Sequence, residues 1–267
     1  MVDVYHRGMV DSSRTSYFCF RIPALARTAA GALIAFAEAR RSNCGDSGDV
    51  RIVRRVSHDD GATWSAIDQV KAEAGHTVGN PCPIVDRVTK HVHLLFSRDN
   101  REVFTARSID GGLSWGPSTN LTSALGLALD PSRPFVATGP PGGIQIEATG
   151  RLVGAMYYNG LNGTRSMAIF SDDHGSTWRR GADVPVSARP IRNASSVVYI
   201  GGEAQVANYP RAGPSGLLMV MRVRGDFPSP PTVMARSNAV DHNTAVAISA
   251  NGGLSWTAAS LLPITSP

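Results

Sequence analysis

The chain has 267 residues, 42% hydrophobic and 18% charged, enough for a sizeable core in one large β domain or two smaller ones. A formal net charge of +5 suits an anionic ligand, but no lysine-rich block or basic helical stripe is present, which sets nucleic acid aside as a partner. Three cysteines (Cys19, Cys44 and Cys82) without a CxxC argue against a disulfide framework and a zinc site, so no metal or other cofactor is expected.

In chain order, the opening "MVDVYHRGMVDSSRTSYF" has no apolar stretch of the kind an export signal needs, and no later run approaches membrane-spanning length. As written, the chain is expected to be cytoplasmic, or secreted if a signal has been removed. The N-x-[ST] sequons at Asn120, Asn162 and Asn193 then read as chance matches. "HVHLLFSR", "GRLVGAMYY", "SVVYI" and "GLLMVMRVR" are apolar runs of strand length, punctuated by glycine, proline and aspartate, and no long helical periodicity competes with them.

One phrase recurs four times among these runs: "SHDDGATW" (57–64), "SIDGGLSW" (108–115), "SDDHGSTW" (171–178) and "SANGGLSW" (249–256). Its pattern is Ser-x-Asp-x-Gly-x-Thr/Ser-Trp, with Asn251 in place of aspartate in the fourth copy. The fifth-position glycine permits a left-handed turn. The Asp or Asn can accept backbone N–H bonds inside it, and the tryptophan can pack between layers. All four tryptophans of the chain occupy this place. The phrase is the Asp box, here a structural hairpin within a repeat of several antiparallel strands, and such repeats of about 50 residues indicate an all-β propeller.

Asp boxes alone do not assign a function. "FRIP" (20–23) within "YFCFRIPALAR", followed by repeated Asp boxes, resembles the sialidases (neuraminidases), from about Tyr17 to Trp256. That family removes terminal sialic acid from glycoconjugates on a six-bladed propeller. The resemblance implies an exo-α-sialidase acting with retention through a tyrosyl intermediate, because a neutral tyrosine avoids repulsion from the substrate's own carboxylate. The implied partners are sialylated glycoconjugates, met by a monomer.

Residue by residue, the resemblance makes Arg21 of the "FRIP" segment a clamp for the substrate carboxylate, a task suited to a planar guanidinium. In "AEARRSNCGD" it gives Arg40 a contact on the C4 side of the sugar, with Asn80 of "GNPCPIVD" nearby. Asp46 becomes the acid for the leaving oxygen and then the base toward water; Asp49 is a neighbouring rival. In "GGEAQVANYPRAGPSGLLMVMRVRG", Glu203 becomes the base toward a tyrosine nucleophile. Arg222 becomes a second carboxylate clamp, with Arg224 as its rival on the same strand face. Met156 or Tyr158 could line a glycerol pocket or pack in the core. His91 and His93 lack a third ligand and are expected at the surface.

The family's third arginine and its tyrosine lie beyond the last box. Only eleven residues follow Trp256 here, the last arginine being Arg236 and the last tyrosine Tyr209, so neither role is assigned. The expectation is a single domain over 1–267, C-terminally truncated relative to the family, with about five blades. The alternative is a non-catalytic sialoside-binding or structural propeller.

Overall fold

The computed structural model describes residues 3–161, 163–185, 200–223 and 244–261, without the side chains of 200–203, 222, 223 and 261. Asn162, Asn193, Arg224, Arg236 and most of "SVVYI" lie outside these residues. The described chain is all-β, with four antiparallel sheets laid out in sequence order.

The first sheet holds β1 (Cys19–Arg27), β2 (Leu33–Arg40), β3 (Val50–Ser57) and β4 (Asp68–Lys71). The second holds β5 (Val78–Val85), β6 (Val92–Arg98), β7 (Glu102–Ser108) and β8 (Thr119–Asn120). The third is five-stranded, with β9 (Val136–Thr138), β10 (Ile144–Gln145), β11 (Leu152–Gly160), β12 (Gly163–Ser171) and β13 (Arg179–Asp183). The fourth comprises β14 (Ile200–Asn208), β15 (Leu217–Val223), β16 (Thr244–Ser249) and β17 (Ser260–Leu261). Each is a propeller blade, and each carries one Asp box. The boxes start 51, 63 and 78 residues apart, so the blades run longer than the 50 residues behind the expected five.

The second strand of a blade shows why the fold stacks sideways. β2 and β6 read as nearly continuous buried runs, because a neighbouring layer covers each face and alternation gives no advantage. Ile34, Phe36 and Ile52 of the first blade pack with Leu94 and Phe96 of the second. Cys82 and Leu95 pack with Leu152, Ile169 and Trp178. Val153 and Phe170 pack with Leu217, Met219 and Trp256. The core is thus a series of interblade layers. Met156 and Tyr158 belong to it, both buried, with the Tyr158 hydroxyl 3.0 Å from Asp183 Oδ2.

All four boxes join the last two strands of a blade. In the first, Ser57 Oγ donates to Asp59 Oδ1 (2.7 Å) and accepts from Gly61 N–H (2.8 Å). Asp59 also accepts from the Thr63 amide (2.8 Å) and hydroxyl (2.6 Å). The second and third copies repeat these bonds. In the fourth, Asn251 Nδ2 donates to Ser255 Oγ (2.8 Å), so the hydroxyl accepts where the others donate. Two consecutive left-handed residues turn each chain, such as Asp60 and Gly61 (φ 55° and 90°), which suits a tight hairpin.

Two expectations are corrected. Cys19 and Cys44 form a disulfide, which an odd cysteine count does not forbid; the third cysteine, Cys82, is buried and free. His93 is not a surface residue but is 1% exposed. Its ring lies over Gly175 of the third box, where a Cβ would come within 2.1 Å of it, and stands edge-on to Trp178. Ile34 fills the matching place over Gly112 of the second box. Burial holds the His93 imidazole down at about 4, and Asp86 opposes that only in part.

Residues 5–18 form a cap on the first blade that composition did not announce. Tyr5 donates to Ala35 O (2.7 Å). Buried Asp11 accepts from Tyr17 Oη (2.6 Å) and Gln69 Nε2 (2.7 Å). No helix among the described residues is long and apolar enough to cross a membrane.

Candidate functional site

The first strands of the blades lie beside one another, β1 against β5 and β5 against β9 and β10. A common device shapes three of them: a left-handed residue followed by proline. Ile22 (φ 51°) precedes Pro23, Asn80 (φ 56°) precedes Pro81, and Gly139 (φ 55°) precedes Pro140. Where β1 pairs with β2, the register runs from Arg21↔Glu38 to Ala24↔Phe36, so β1 carries one extra residue. β5 does the same between Gly79↔Ser97 and Cys82↔Leu95. These are β-bulges, which re-aim side chains. A β-branched residue at positive φ is uncommon enough to mark a constrained place.

Arg21 stands at the first bulge, 45% exposed at its side chain. Its Nη1 donates to Asp46 Oδ1 (2.8 Å) and Cys44 O (3.3 Å). Asp46 lies in the loop between β2 and β3 with its side chain 76% exposed. Arg40, at the end of β2, is 2% exposed. Its Nη1 donates to the same Asp46 oxygen (2.9 Å) and to the carbonyls of Cys44 and Gly45 (both 2.6 Å). Arg40 therefore holds the loop from below.

Glu38 fixes that arginine. It is buried, accepts from Arg40 Nε (3.2 Å) and Nη2, and with its other oxygen accepts from the Asn80 amide (2.8 Å). A Cβ on Gly79 would sit 2.4 Å from Glu38 Oε1, so the glycine admits the carboxylate. Asn80 Nδ2 donates to Ser97 Oγ (2.8 Å) and Asn100 Oδ1 (2.9 Å). A buried ion pair is costly to break because its survivor is left uncompensated. Glu38 is the participant that sequence reasoning missed. Its signal was its position two residues before Arg40, on the same face of one strand.

Arg21, Arg40 and Asp46 thus meet directly, and Asn80 joins them through Glu38. Asp49, the rival acid, is occupied at the base of the loop. Arg51 (2.9 Å) and Arg41 (3.0 Å) bind it, and its carboxyl is held below the usual range first by the Arg51 hydrogen bond. Glu203 and Arg222 lie on β14 and β15. The register from Gly201↔Val223 to Ala204↔Met221 sets Gly202 and Glu203 opposite Arg222, a bulge at the same level of the blade as that of Arg21. Their side chains lie outside the described residues. No group of three potential metal ligands occurs among the described residues.

A family model described as "BNR repeat-like domain" matches residues 31–267. Human Sialidase-4 is 32% identical over 196 residues, covering 62% of this chain and 40% of its own length. A sialidase of Micromonospora viridifaciens is 31% identical over 206 residues, covering 66% and 31%. The chain therefore spans less than half of these relatives. Among solved structures, the Ruminococcus gnavus intramolecular trans-sialidase superposes with TM-score 0.71 at 15% identity, covering 99% of this chain and 74% of that one. The Hadza microbial sialidase Hz136 gives 0.69 at 24%, covering 91% and 46%. Four Asp boxes, a propeller of antiparallel blades and these matches agree: the chain belongs to the BNR-repeat sialidase family.

Proposed function

We propose that this chain carries the anion-clamping and acid–base part of an exo-α-sialidase centre. The observation that carries the reading is one exposed carboxylate, Asp46, held between Arg21 and Arg40 on a loop beside the inner strands. An α-sialoside presents a carboxylate on its anomeric carbon, and Arg21 already grips a carboxylate at 2.8 Å. The substrate's carboxylate takes over Arg21, with Arg222 as a second clamp, and Asp46 loses one of its two cationic partners. Protonated Asp46 then gives its proton to the glycosidic oxygen as the anomeric C–O bond breaks. It later takes a proton from the water that attacks the glycosyl intermediate. Glu203 serves as base toward the tyrosine that the family supplies. Arg40, buried beneath the Asp46 loop, keeps it in place.

Calorimetry with an unsaturated sialic acid analogue tests the clamp. Arg21→Ala should abolish binding, and Arg21→Lys should restore little, because the two-pronged geometry is gone. Undiminished binding by both variants would sink the assignment. Analogue binding without sialoside turnover in the full protein would favour the non-catalytic sialoside-binding propeller.

A further inference from the structure

We infer that the Cys19–Cys44 disulfide is a positioning element of the Asp46 site, a covalent clamp whose opening by a thiol reductant loosens the hold of Arg21 and Arg40 on the carboxylate. For turnover this rests on the sialidase reading; for the loop it stands alone. Cys19 precedes Arg21 by two residues on β1, and Cys44 precedes Asp46 by two in the loop. Residues two apart on a strand share a face, so the bond joins the side of β1 that bears Arg21 to the arm that bears the acid.

The loop needs such a hold. Residues 41–48 are all exposed, and none is anchored in the core. The base is tied by Arg41 N–H to Asp49 O (3.3 Å) and by Gly48 to Thr77. Between these ties the tip is held by the two arginines, a local bond from Gly45 N–H to Asn43 Oδ1 (2.7 Å), and the disulfide. The pair of Arg21 with Asp46, both well exposed, is weak in water, and a substrate carboxylate on Arg21 competes with it at the moment Asp46 must be well placed. The disulfide is indifferent to that competition.

The bond is also reachable. Cys44 is exposed, and both cysteines line a cleft of about 220 Å³ shared with Tyr5, His6, Phe18 and Phe20. Cys82 is a poor exchange partner, since it is buried and its thiol is pushed up to about 12. A dithiol opens the clamp by two exchanges. One thiolate attacks a sulfur of the pair to give a mixed disulfide, and the second closes the reagent into a ring. Two electrons and two protons pass to Cys19 and Cys44, which become thiols.

The experiment compares the oxidised protein, the protein in dithiothreitol and the Cys19→Ser/Cys44→Ser double variant, under native conditions. Alkylation after denaturation should count one free thiol, then three. Trypsin cleavage after Arg41 should rise by about tenfold or more on reduction, since local opening governs cleavage, and the variant should match the reduced state without responding to dithiol. With sialyllactose, kcat should fall by about tenfold, while an aryl sialoside, which needs less acid help, loses under about threefold. A merely structural bond would lower both rates together. Unchanged Arg41 cleavage, equal losses on both substrates, or loss of the β-sheet circular dichroism on reduction would each overturn the inference. If neither redox state of a full-length protein that carries the family's tyrosine turns over either sialoside, the sialidase reading fails, and Arg41 cleavage alone decides the clamp.

Discussion

Asp46 and the box aspartates are the same residue type put to opposite uses. Asp59, Asp110 and Asp173 each satisfy two hydroxyls and one or more backbone amides within their own turn. Asp46 has two guanidiniums from separate strands on one oxygen and a side chain 76% exposed. A carboxylate bonded to its own backbone stabilises a hairpin, and moving its proton undoes that. One held at an open loop by a buried arginine on one side and an exposed one on the other can exchange the exposed partner. Exposure alone does not separate the two; the chemical identity of the partners does.

The largest expected effect follows from Asp46→Asn in the full-length protein. The amide keeps the shape but cannot deliver a proton, so turnover of sialyllactose should fall by about 10²–10⁴-fold. An aryl sialoside should suffer less, and analogue binding should change little. A uniform loss on both substrates would make Asp46 a holder of structure like the box aspartates.

The boxes are probed by their rings. Trp178 is 4% exposed and sits in the layer between second and third blades, so Trp178→Ala should cost about 3–5 kcal/mol in urea unfolding. Trp64 is only half-buried, and Trp64→Ala should cost visibly less. Equal costs would mean that the rings stabilise the turns and not the layers.

Acid should weaken the packing of the second blade on the third before it reaches most carboxylates, because His93 is buried between them. The folded His93 value of about 4 lies below the ordinary 6.5, so the unfolded chain binds the extra proton between those limits. Stability from neutral His93 is therefore present above about 6.5 and falls as pH drops toward 4, by on the order of 3 kcal/mol. His93→Ile, which copies Ile34 at the matching place, should flatten the urea midpoint between pH 6.5 and 4.5. A variant as acid-sensitive as the parent would locate the proton elsewhere.

Much of this was legible in the sequence. Box turns are local, so eight residues specify their own hydrogen bonds, and four copies fixed both the hairpins and the blades. Arg21, Arg40 and Asp46 were named through resemblance; the structure sets them in contact, and their roles belong to the proposal. What stayed hidden depends on pairing across the sheet. Glu38 matters because register sets it beside Arg40 and Gly79 leaves room for it. His93 is buried because a glycine of the next blade lies under it. Cys19 and Cys44 meet only once β1 and β2 pair, with Cys19 opposite Arg40. The left-handed residue before proline in "RIP" and "GNP" was a repeated signal of the inner bulges that an Asp-box search passes over, and "TGP" repeats the same backbone device at the end of β9.

The smallest expected effect is the sharpest contrast with Asp46. The fourth box already carries Asn251, which accepts from Ser255 N–H at 2.9 Å and donates to its hydroxyl at 2.8 Å. Asp110→Asn should therefore rebuild the second box with the hydroxyl of Ser114 turned from donor to acceptor, costing less than about 1 kcal/mol near neutral pH. It should also remove an acid response. Despite the opposing cost of burial, hydrogen bonds led by that from Ser114 hold the Asp110 carboxyl down at about 2. Its contribution is thus present above the unfolded value near 3.8 and lost as pH falls toward 2. Urea midpoints for parent and variant should converge over that window. A variant that unfolds several kcal/mol more easily at pH 7 would mean that the box needs charge and not only geometry, and that box and loop aspartates differ less than their partners imply.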